Sequence, residues 1–157
     1  MLKEKIIVTG GLGFIGSNLI ELLLSKDYKV VNIDKINYSS NFYNTLGFKK
    51  NKNYKFYKCD LNNYKKLNLI INKFQPTCIF NLAAETHVDR SIDNPKSFIE
   101  SNILGVYNLL EIFKKFSKNF KKTKLIHIST DEVYGDILSG RSNEKSSYKP
   151  SSPYAAS

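Results

Sequence analysis

Short apolar runs alternate with longer segments of helical periodicity along this chain of 157 residues. Five runs, at 5–9, 29–34, 54–58, 77–81 and 124–129, are short, rich in β-branched or aromatic residues, and predict strands. Apolar residues recur at helical spacing in 14–25, 63–74 and 95–116. Residues 35–53 follow neither period, which predicts an irregular loop with one helical turn. The alternation predicts an α/β fold, a doubly wound parallel sheet with helices on both faces.

Three glycines, Gly10, Gly13 and Gly16, lie between the first predicted strand and the first predicted helix. In that position a glycine turn brings backbone amides and a helix N-terminus close to a pyrophosphate, as in a Rossmann domain. Asp34 ends the second strand, where a carboxylate accepts hydrogen bonds from the ribose hydroxyls of NAD and repels the 2′-phosphate of NADP. The alternative is that Asp34 caps its own loop, and the adjacent Lys35 weakens the preference for NAD.

Two further strand ends face the same predicted edge. Asp60, after the third strand, is placed to reach an adenine edge, although a lone Asp there is more often a turn residue. The small residues Ala83 and Ala84 follow the fourth strand and leave room for a cofactor backbone, or merely pack.

Polar residues with acid–base potential follow the fifth strand. Thr130, Asp131 and Glu132 stand at the edge where open α/β sheets bind ligands, and two adjacent carboxylates can serve as an acid and a base. Their alternative is a solvated turn. Tyr154 follows Ser152-Pro153 at a predicted helix start, where packing is the alternative role.

The net charge of +10 raises the possibility of nucleic-acid binding. The basic residues are nearly all lysines spread along the chain, so we expect a solvated basic surface and no nucleic-acid partner. No apolar run is long enough to span a membrane, and the N-terminus lacks a signal-peptide pattern. Two cysteines without neighbouring metal ligands favour a cytoplasmic protein with neither a disulfide scaffold nor a metal site.

Four segments together carry a family resemblance: TGGLGFIG at 9–16, AAETHVDRSI at 83–92, TDEVYG at 130–135 and SPY at 152–154. The chain resembles the extended short-chain dehydrogenases/reductases, and among them the dTDP-glucose 4,6-dehydratases. The resemblance covers essentially the whole chain. The glycine turn and the tyrosine are typical of the whole superfamily, whereas AAETHVDRSI and the Asp-Glu pair are far more selective.

The resemblance implies a reaction and a role for each residue. A 4,6-dehydratase oxidises C4 of dTDP-glucose with NAD⁺, loses water across C5 and C6, and returns the hydride to C6. Tyr154 would deprotonate the C4 hydroxyl, Thr130 would hydrogen-bond it, Glu132 would take the C5 proton and Asp131 would protonate the C6 oxygen. Thr86 would also contact the sugar. Besides the glycines and Tyr154, the implied cofactor contacts are Phe14, Ile15, Asp34, Lys35, Ile36, Asn37, Asp60, Leu61, Leu82, Ala83, Ala84, Glu85, Thr86 and Ser101.

Two histidines receive structural roles. His87 and Arg90 belong to a characteristic loop of the family, where His87 is expected to support its neighbours. His127 lies inside a predicted strand, which favours a core histidine.

One departure from the family pattern limits these expectations. The superfamily motif is Tyr-x-x-x-Lys, and its lysine would fall immediately after Ser157. We therefore expect residues 1–157 to form an incomplete NAD-binding domain that lacks the last sheet elements and the substrate-binding region, and that does not turn over alone. In this family the helix at 95–116 and the helix beginning near Tyr154 would form a homodimer interface.

Two other functions remain open. A sibling nucleotide-sugar epimerase or decarboxylase needs the tyrosine and NAD but has no use for a paired acid and base at C5 and C6. A non-catalytic dinucleotide-binding module would keep the fold alone, which the presence of Thr130, Asp131, Glu132 and Tyr154 argues against.

Overall fold

A computed structural model describes residues 4–137 and 139–157. Within them, five parallel strands form one sheet in the order β3-β2-β1-β4-β5. The strands are β1 (Lys5–Thr9), β2 (Lys29–Asp34), β3 (Tyr54–Lys58), β4 (Cys78–Asn81) and β5 (Lys124–His127). The chain moves outwards from β1 to β3 and then crosses to β4 on the other side. The predicted doubly wound parallel sheet is therefore confirmed.

Helices cover both faces of the sheet. On one face, α1 (Phe14–Ser25) packs Ile20, Leu23 and Leu24 against Ile6 and Val8 of β1. On the other face, α2 (Tyr64–Phe74) and α5 (Gly105–Ser117) enclose a larger cluster around Ile7 of β1 and Ile79 of β4. Alternate residues of β1 thus face opposite cores, which explains why this strand is apolar throughout.

Local signals account for most element boundaries. Asn63, predicted as the first residue of a helix, instead caps α2, since its side chain accepts a hydrogen bond from the Lys66 amide at 3.1 Å. The predicted turn in the 35–53 loop is a single 3₁₀ turn, Phe42–Thr45. β4 and β5 are shorter than predicted: β4 begins one residue later and β5 ends at His127.

The long predicted helix at 95–116 is interrupted in its hydrogen-bond pattern. It comprises α4 (Pro95–Phe98), a π-helical segment (Ile99–Leu104) and α5. A short helix that the sequence did not predict, α3 (Val88–Asp93), precedes it and contains Arg90, which the resemblance had placed in a loop. π-helical segments are frequent at functional sites because they re-aim side chains within a helix.

The remaining elements lie after β5. Asp131–Tyr134 form a 3₁₀ turn, and α6 (Pro153–Ala156) begins with Ser152 as its cap, as predicted. Among the described residues, β5 pairs with β4 alone; Ile126 of β5 and the following Ile128 are 39% and 45% exposed. Within the described ranges, no helix has both the length and the apolar character needed to cross a bilayer.

Candidate dinucleotide and sugar site

The glycine turn at the end of β1 is packed against backbone on two sides. Gly10 adopts a left-handed φ of +70°, and a Cβ there would lie 2.8 Å from backbone atoms of Leu82 and Ala83. A Cβ on Gly16 would lie 2.4 Å from the Gly10 carbonyl oxygen. Neither position therefore accepts a side chain without a backbone shift, and the turn is held close to the end of β4.

The N-terminus of α1 opens from this turn towards solvent. Its N-cap, Gly13, provides no side-chain hydrogen bond, and Phe14 and Ile15 are exposed. The amide donors of the first helical turn and the positive end of the helix dipole therefore suit a phosphate group.

Asp34 is a buried carboxylate beside the turn. It accepts hydrogen bonds from the Leu12 amide at 3.1 Å, the Ile36 amide at 2.9 Å and the Ser40 hydroxyl at 2.8 Å. Asp34 thus caps its own loop, the alternative left open above, and also lines the cavity. A carboxylate has about four acceptor positions, so capacity for a ribose hydroxyl remains.

A cavity of about 520 Å³ runs along the carboxyl edge of the sheet. Its lining brings together the glycine turn, Asp34, the ends of β3 and β4, and the beginning of α6. Sixteen of the eighteen predicted cofactor residues lie on it: Gly10, Gly13, Phe14, Ile15, Gly16, Asp34, Lys35, Asn37, Asp60, Leu61, Leu82, Ala83, Ala84, Thr86, Ser101 and Tyr154. Ile36 and Glu85 are not part of this lining.

Glu85 lies behind the cavity wall and organises three segments. Its Oε1 accepts hydrogen bonds from Lys35 Nζ at 2.6 Å and from Asn37 Nδ2 at 3.0 Å. Burial alone would raise the pKa of Glu85, but the hydrogen bonds from Lys35 and Asn37 outweigh it and hold that pKa below its usual range. The carboxylate is therefore kept ionised although it is only 6% exposed.

Asn102, in the π-helical segment, fixes the backbone of Glu85 from both directions. Its Oδ1 accepts from the Glu85 amide at 2.9 Å, while its Nδ2 donates to the Glu85 carbonyl at 3.0 Å and to Ser157 Oγ at 2.9 Å. Asn102 was not among the predicted site residues, because an isolated Asn in an apolar helical pattern gives no signal.

The proposed sugar-reacting residues lie around two neighbouring cavities. Thr130 and Tyr154 line the cavity described above, together with the glycine turn. Thr130 and Asp131 line a second, shallower depression, and Glu132 is exposed outside the lining of both. Thr130 caps the 3₁₀ turn by accepting from the Glu132 amide at 3.2 Å, which fixes the start of the Asp-Glu pair.

Tyr154 is positioned by its own helix and by α4. The Ser152 hydroxyl accepts from the Ala155 amide at 3.0 Å, and the Tyr154 ring lies edge-on to Phe98, with 6.2 Å between ring centroids. Tyr154 therefore packs against another ring and also faces the cavity.

The prediction of a core role for His127 is wrong. β5 ends at this residue, and the side chain lines the cavity. Asn81 Nδ2 donates to His127 Nδ1 at 2.8 Å, and Asn81 Oδ1 in turn accepts from the buried Thr9 hydroxyl. Partial burial lowers the pKa of His127, which favours the neutral ring.

Comparison with known proteins identifies the family. The model of the GDP-mannose 4,6 dehydratase family matches residues 7–157. The chain belongs to that family. Among curated members, it is 44% identical to the dTDP-glucose 4,6-dehydratase of Haemophilus influenzae over 98% of this chain and 48% of that protein. It is 41% identical to the Escherichia coli enzyme of the same name over 98% of this chain and 47% of that protein.

Solved structures of two other enzymes share the fold. The dTDP-glucose 4,6-dehydratase of Bacillus anthracis in complex with NAD superposes with a TM-score of 0.84 and 36% identity, over 98% of this chain and 46% of that one. The NAD complex of the Thermus thermophilus UDP-glucose 4-epimerase gives 0.83 and 32%, over 97% and 46%. The chain spans about half the length of the curated relatives it matches.

Among the residues that the structure describes, no group of three or more His, Cys, Asp or Glu side chains could hold a metal ion.

Proposed function

We propose that this chain supplies the NAD-binding part of a nucleotide-sugar 4,6-dehydratase that acts on dTDP-glucose. The observation that carries the proposal is the common cavity of Thr130, Tyr154 and the glycine turn. In this cavity a sugar hydroxyl and a bound dinucleotide would both lie next to the hydroxyls of Thr130 and Tyr154. Asp131 and Glu132 follow Thr130 in the chain.

Two features of the cavity suit a dinucleotide. The glycine turn and the start of α1 line the cavity, and the first-turn amides would hold a pyrophosphate there. Asp34 lies beside the turn, hydrogen-bonded to the Leu12 amide, with acceptor capacity for the adenosine ribose. NAD held there would supply the hydride acceptor for C4 of the sugar and the hydride donor for C6.

The side chains of this chain would handle the protons. Tyr154 would take the proton from the C4 hydroxyl while Thr130 holds that oxygen by a hydrogen bond. Once C4 is a ketone, the C5 proton is acidic enough for a carboxylate base, Glu132. Asp131, beside Thr130, would donate a proton to the departing C6 hydroxyl. Proton transfers of this kind are each worth about 10²–10⁴ in rate.

The carboxylate pair favours a dehydratase over an epimerase. Epimerisation at C4 needs hydride removal and return but no proton transfer at C5 or C6. Asp131 and Glu132 would have no reaction to perform in such an enzyme.

NAD binding by the chain itself is the direct test. Titration calorimetry should show saturable binding of one NAD per chain. Gly10→Ala should abolish binding because its Cβ meets the backbone of Leu82, whereas Gly47→Ala, whose nearest contact is 3.8 Å away, should not. Absence of saturable binding to a chain with a cooperative unfolding transition would contradict the proposal.

The chemistry is tested in a chimaera that joins this chain to the C-terminal part of the Haemophilus influenzae relative. Glu132→Gln should slow loss of water by at least about 100-fold while NADH still forms from C4 oxidation. Glu144→Gln removes an exposed carboxylate outside both cavities and serves as the matched control. Unchanged dehydration in Glu132→Gln would refute the assigned base. The chain alone should show no turnover.

We also propose that the full-length protein is a homodimer and that its location is cytoplasmic. The helical segment from 95 to 117 carries exposed apolar residues on one surface, including Ile103, Tyr107 and Leu110, each 46–58% exposed. Sedimentation of the chimaera should report a dimer that Leu110→Lys dissociates, and a monomeric chimaera would contradict the proposal. The free thiols of Cys59 and Cys78 suit a reducing compartment.

A further inference from the structure

The lysine that follows Asp34 bears on which dinucleotide the cavity accepts. Lys35 lines the cavity next to the carboxylate proposed to hold the adenosine ribose. A free ammonium at this point would attract the 2′-phosphate of NADP and oppose the selection that Asp34 exerts. We propose that Glu85 is a specificity-determining residue, which holds Lys35 away from the nucleotide and so keeps the site selective for NAD. This inference rests on the proposed function, because it presumes dinucleotide binding in the cavity.

The geometry directs the Lys35 ammonium into the protein. Nζ lies 2.6 Å from Glu85 Oε1 and 2.7 Å from Ser101 Oγ. The Glu85 side chain is only 7% exposed and does not line the cavity, whereas that of Lys35 is 31% exposed and does. The carboxylate therefore draws the ammonium back from the position where a 2′-phosphate would meet it.

Two of the three segments in this contact are fixed independently of the ion pair. Asn102 clamps the backbone amide and carbonyl of Glu85. On the other strand end, Ile36 adopts a left-handed φ of +63°, which is rare for a β-branched residue, and its amide donates to Asp34. Asn37 then reaches Glu85 from the same loop. The direction of the Lys35 side chain is thus set by the loop and by its acceptor together.

The charge of Glu85 is the reason why Lys35 does not turn towards a 2′-phosphate. If Lys35 turned to a 2′-phosphate, it would leave a buried carboxylate without its cation, which is strongly unfavourable. Arg90 is engaged elsewhere, since it stacks on the Tyr38 ring with its guanidinium carbon 3.7 Å from the ring centroid.

The test compares dissociation constants for NAD and NADP in variants of this chain. Glu85→Gln removes the charge and keeps the shape, so Lys35 is released. NADP should then bind about tenfold more tightly relative to NAD, as expected for one added charge-assisted hydrogen bond at a partly exposed site. Asp34 is retained throughout, so its repulsion cancels in the comparison.

Two controls separate release of Lys35 from a general change of charge. Glu85→Gln with Lys35→Met restores the wild-type net charge and should return the NADP to NAD ratio to within about twofold of wild type. Glu100→Gln removes a neighbouring exposed carboxylate that pairs with Lys96, and should leave the ratio unchanged. If the gain persists in the double variant, or appears equally in Glu100→Gln, the inference is wrong.

A further variant covers loss of folding in Glu85→Gln. Ser101→Ala removes the second Lys35 acceptor without touching the carboxylate and should shift the ratio towards NADP by about twofold. If every variant binds NAD and the ratio never moves, the specificity role fails while the proposed function stands. If the wild type binds neither nucleotide, the proposed function itself fails.

Discussion

Gly16→Ala sets two physical effects against each other. Gly16 lies within the first turn of α1, where alanine is favoured over glycine by about 1 kcal/mol. The added Cβ would lie 2.4 Å from the Gly10 carbonyl oxygen and 2.8 Å from Gly11 Cα, both backbone atoms. Forcing a backbone shift of this kind costs about 1–3 kcal/mol. We therefore expect a net loss of up to about 2 kcal/mol in the free energy of unfolding, because the overlap costs at least as much as the helix propensity returns.

The same shift would displace the turn on which NAD binding depends. Urea denaturation followed by circular dichroism gives the stability change, and NAD titration should show at least about tenfold weaker binding because the first-turn amides move. Gly47→Ala is the matched control, since its nearest contact is 3.8 Å away, and it should change stability by less than about 1 kcal/mol. If Gly16→Ala proves more stable than wild type and binds NAD normally, the tight packing of this turn is refuted.

Four other predictions concern stability and reactivity. Because the lowered pKa of Glu85 stabilises the fold only while the carboxylate is ionised, the stability advantage of wild type over Glu85→Gln should shrink as urea titrations go below about pH 4. Because the pKa of His127 is lowered in the native state, the unfolded chain takes up a proton at this residue at a higher pH than the native chain does. The free energy of unfolding should therefore decrease below about pH 6.5, and His127→Gln should make this decrease less steep. Leu67→Ala, at a fully buried site of α2, should cost about 2–5 kcal/mol of unfolding free energy, whereas Leu69→Ala, 69% exposed in the same helix, should cost less than about 0.5. Burial raises the pKa of the Cys59 thiol, so an alkylating reagent should label it slowly at about pH 8 until urea unfolds the chain; rapid labelling of the native protein would contradict this.

Much of the fold was predictable because its signals are local. β1 and β2 have the predicted bounds, since β-branched runs that end at a glycine turn or an aspartate leave few alternatives. The π-helical segment was not predictable, because its hydrogen-bond pattern depends on how Asn102 reaches Glu85 across the fold. Apolar spacing over 95–116 cannot report that change of pitch.

The sequence could predict which residues line the candidate site, but not which of their side chains contact one another. Strand ends of a parallel sheet share one edge, so Asp34, Asp60 and Thr130 were expected near one another, and the cavity lining includes all three. The pairing of Lys35 with Glu85 joins positions 50 residues apart in the chain, and no periodicity encodes such a contact. His127 was misassigned because a strand residue is placed in the core by default, whereas β5 ends at that residue.

The two outer strands of the sheet differ in how they meet solvent. β3 carries Lys55 and Lys58, and charged side chains on an outer strand discourage pairing with another chain. β5 presents Ile126, followed by Ile128, beside its open row of backbone donors and acceptors. Addition of a strand from another molecule would therefore be favoured at β5 over β3, and Ile126→Lys should suppress it.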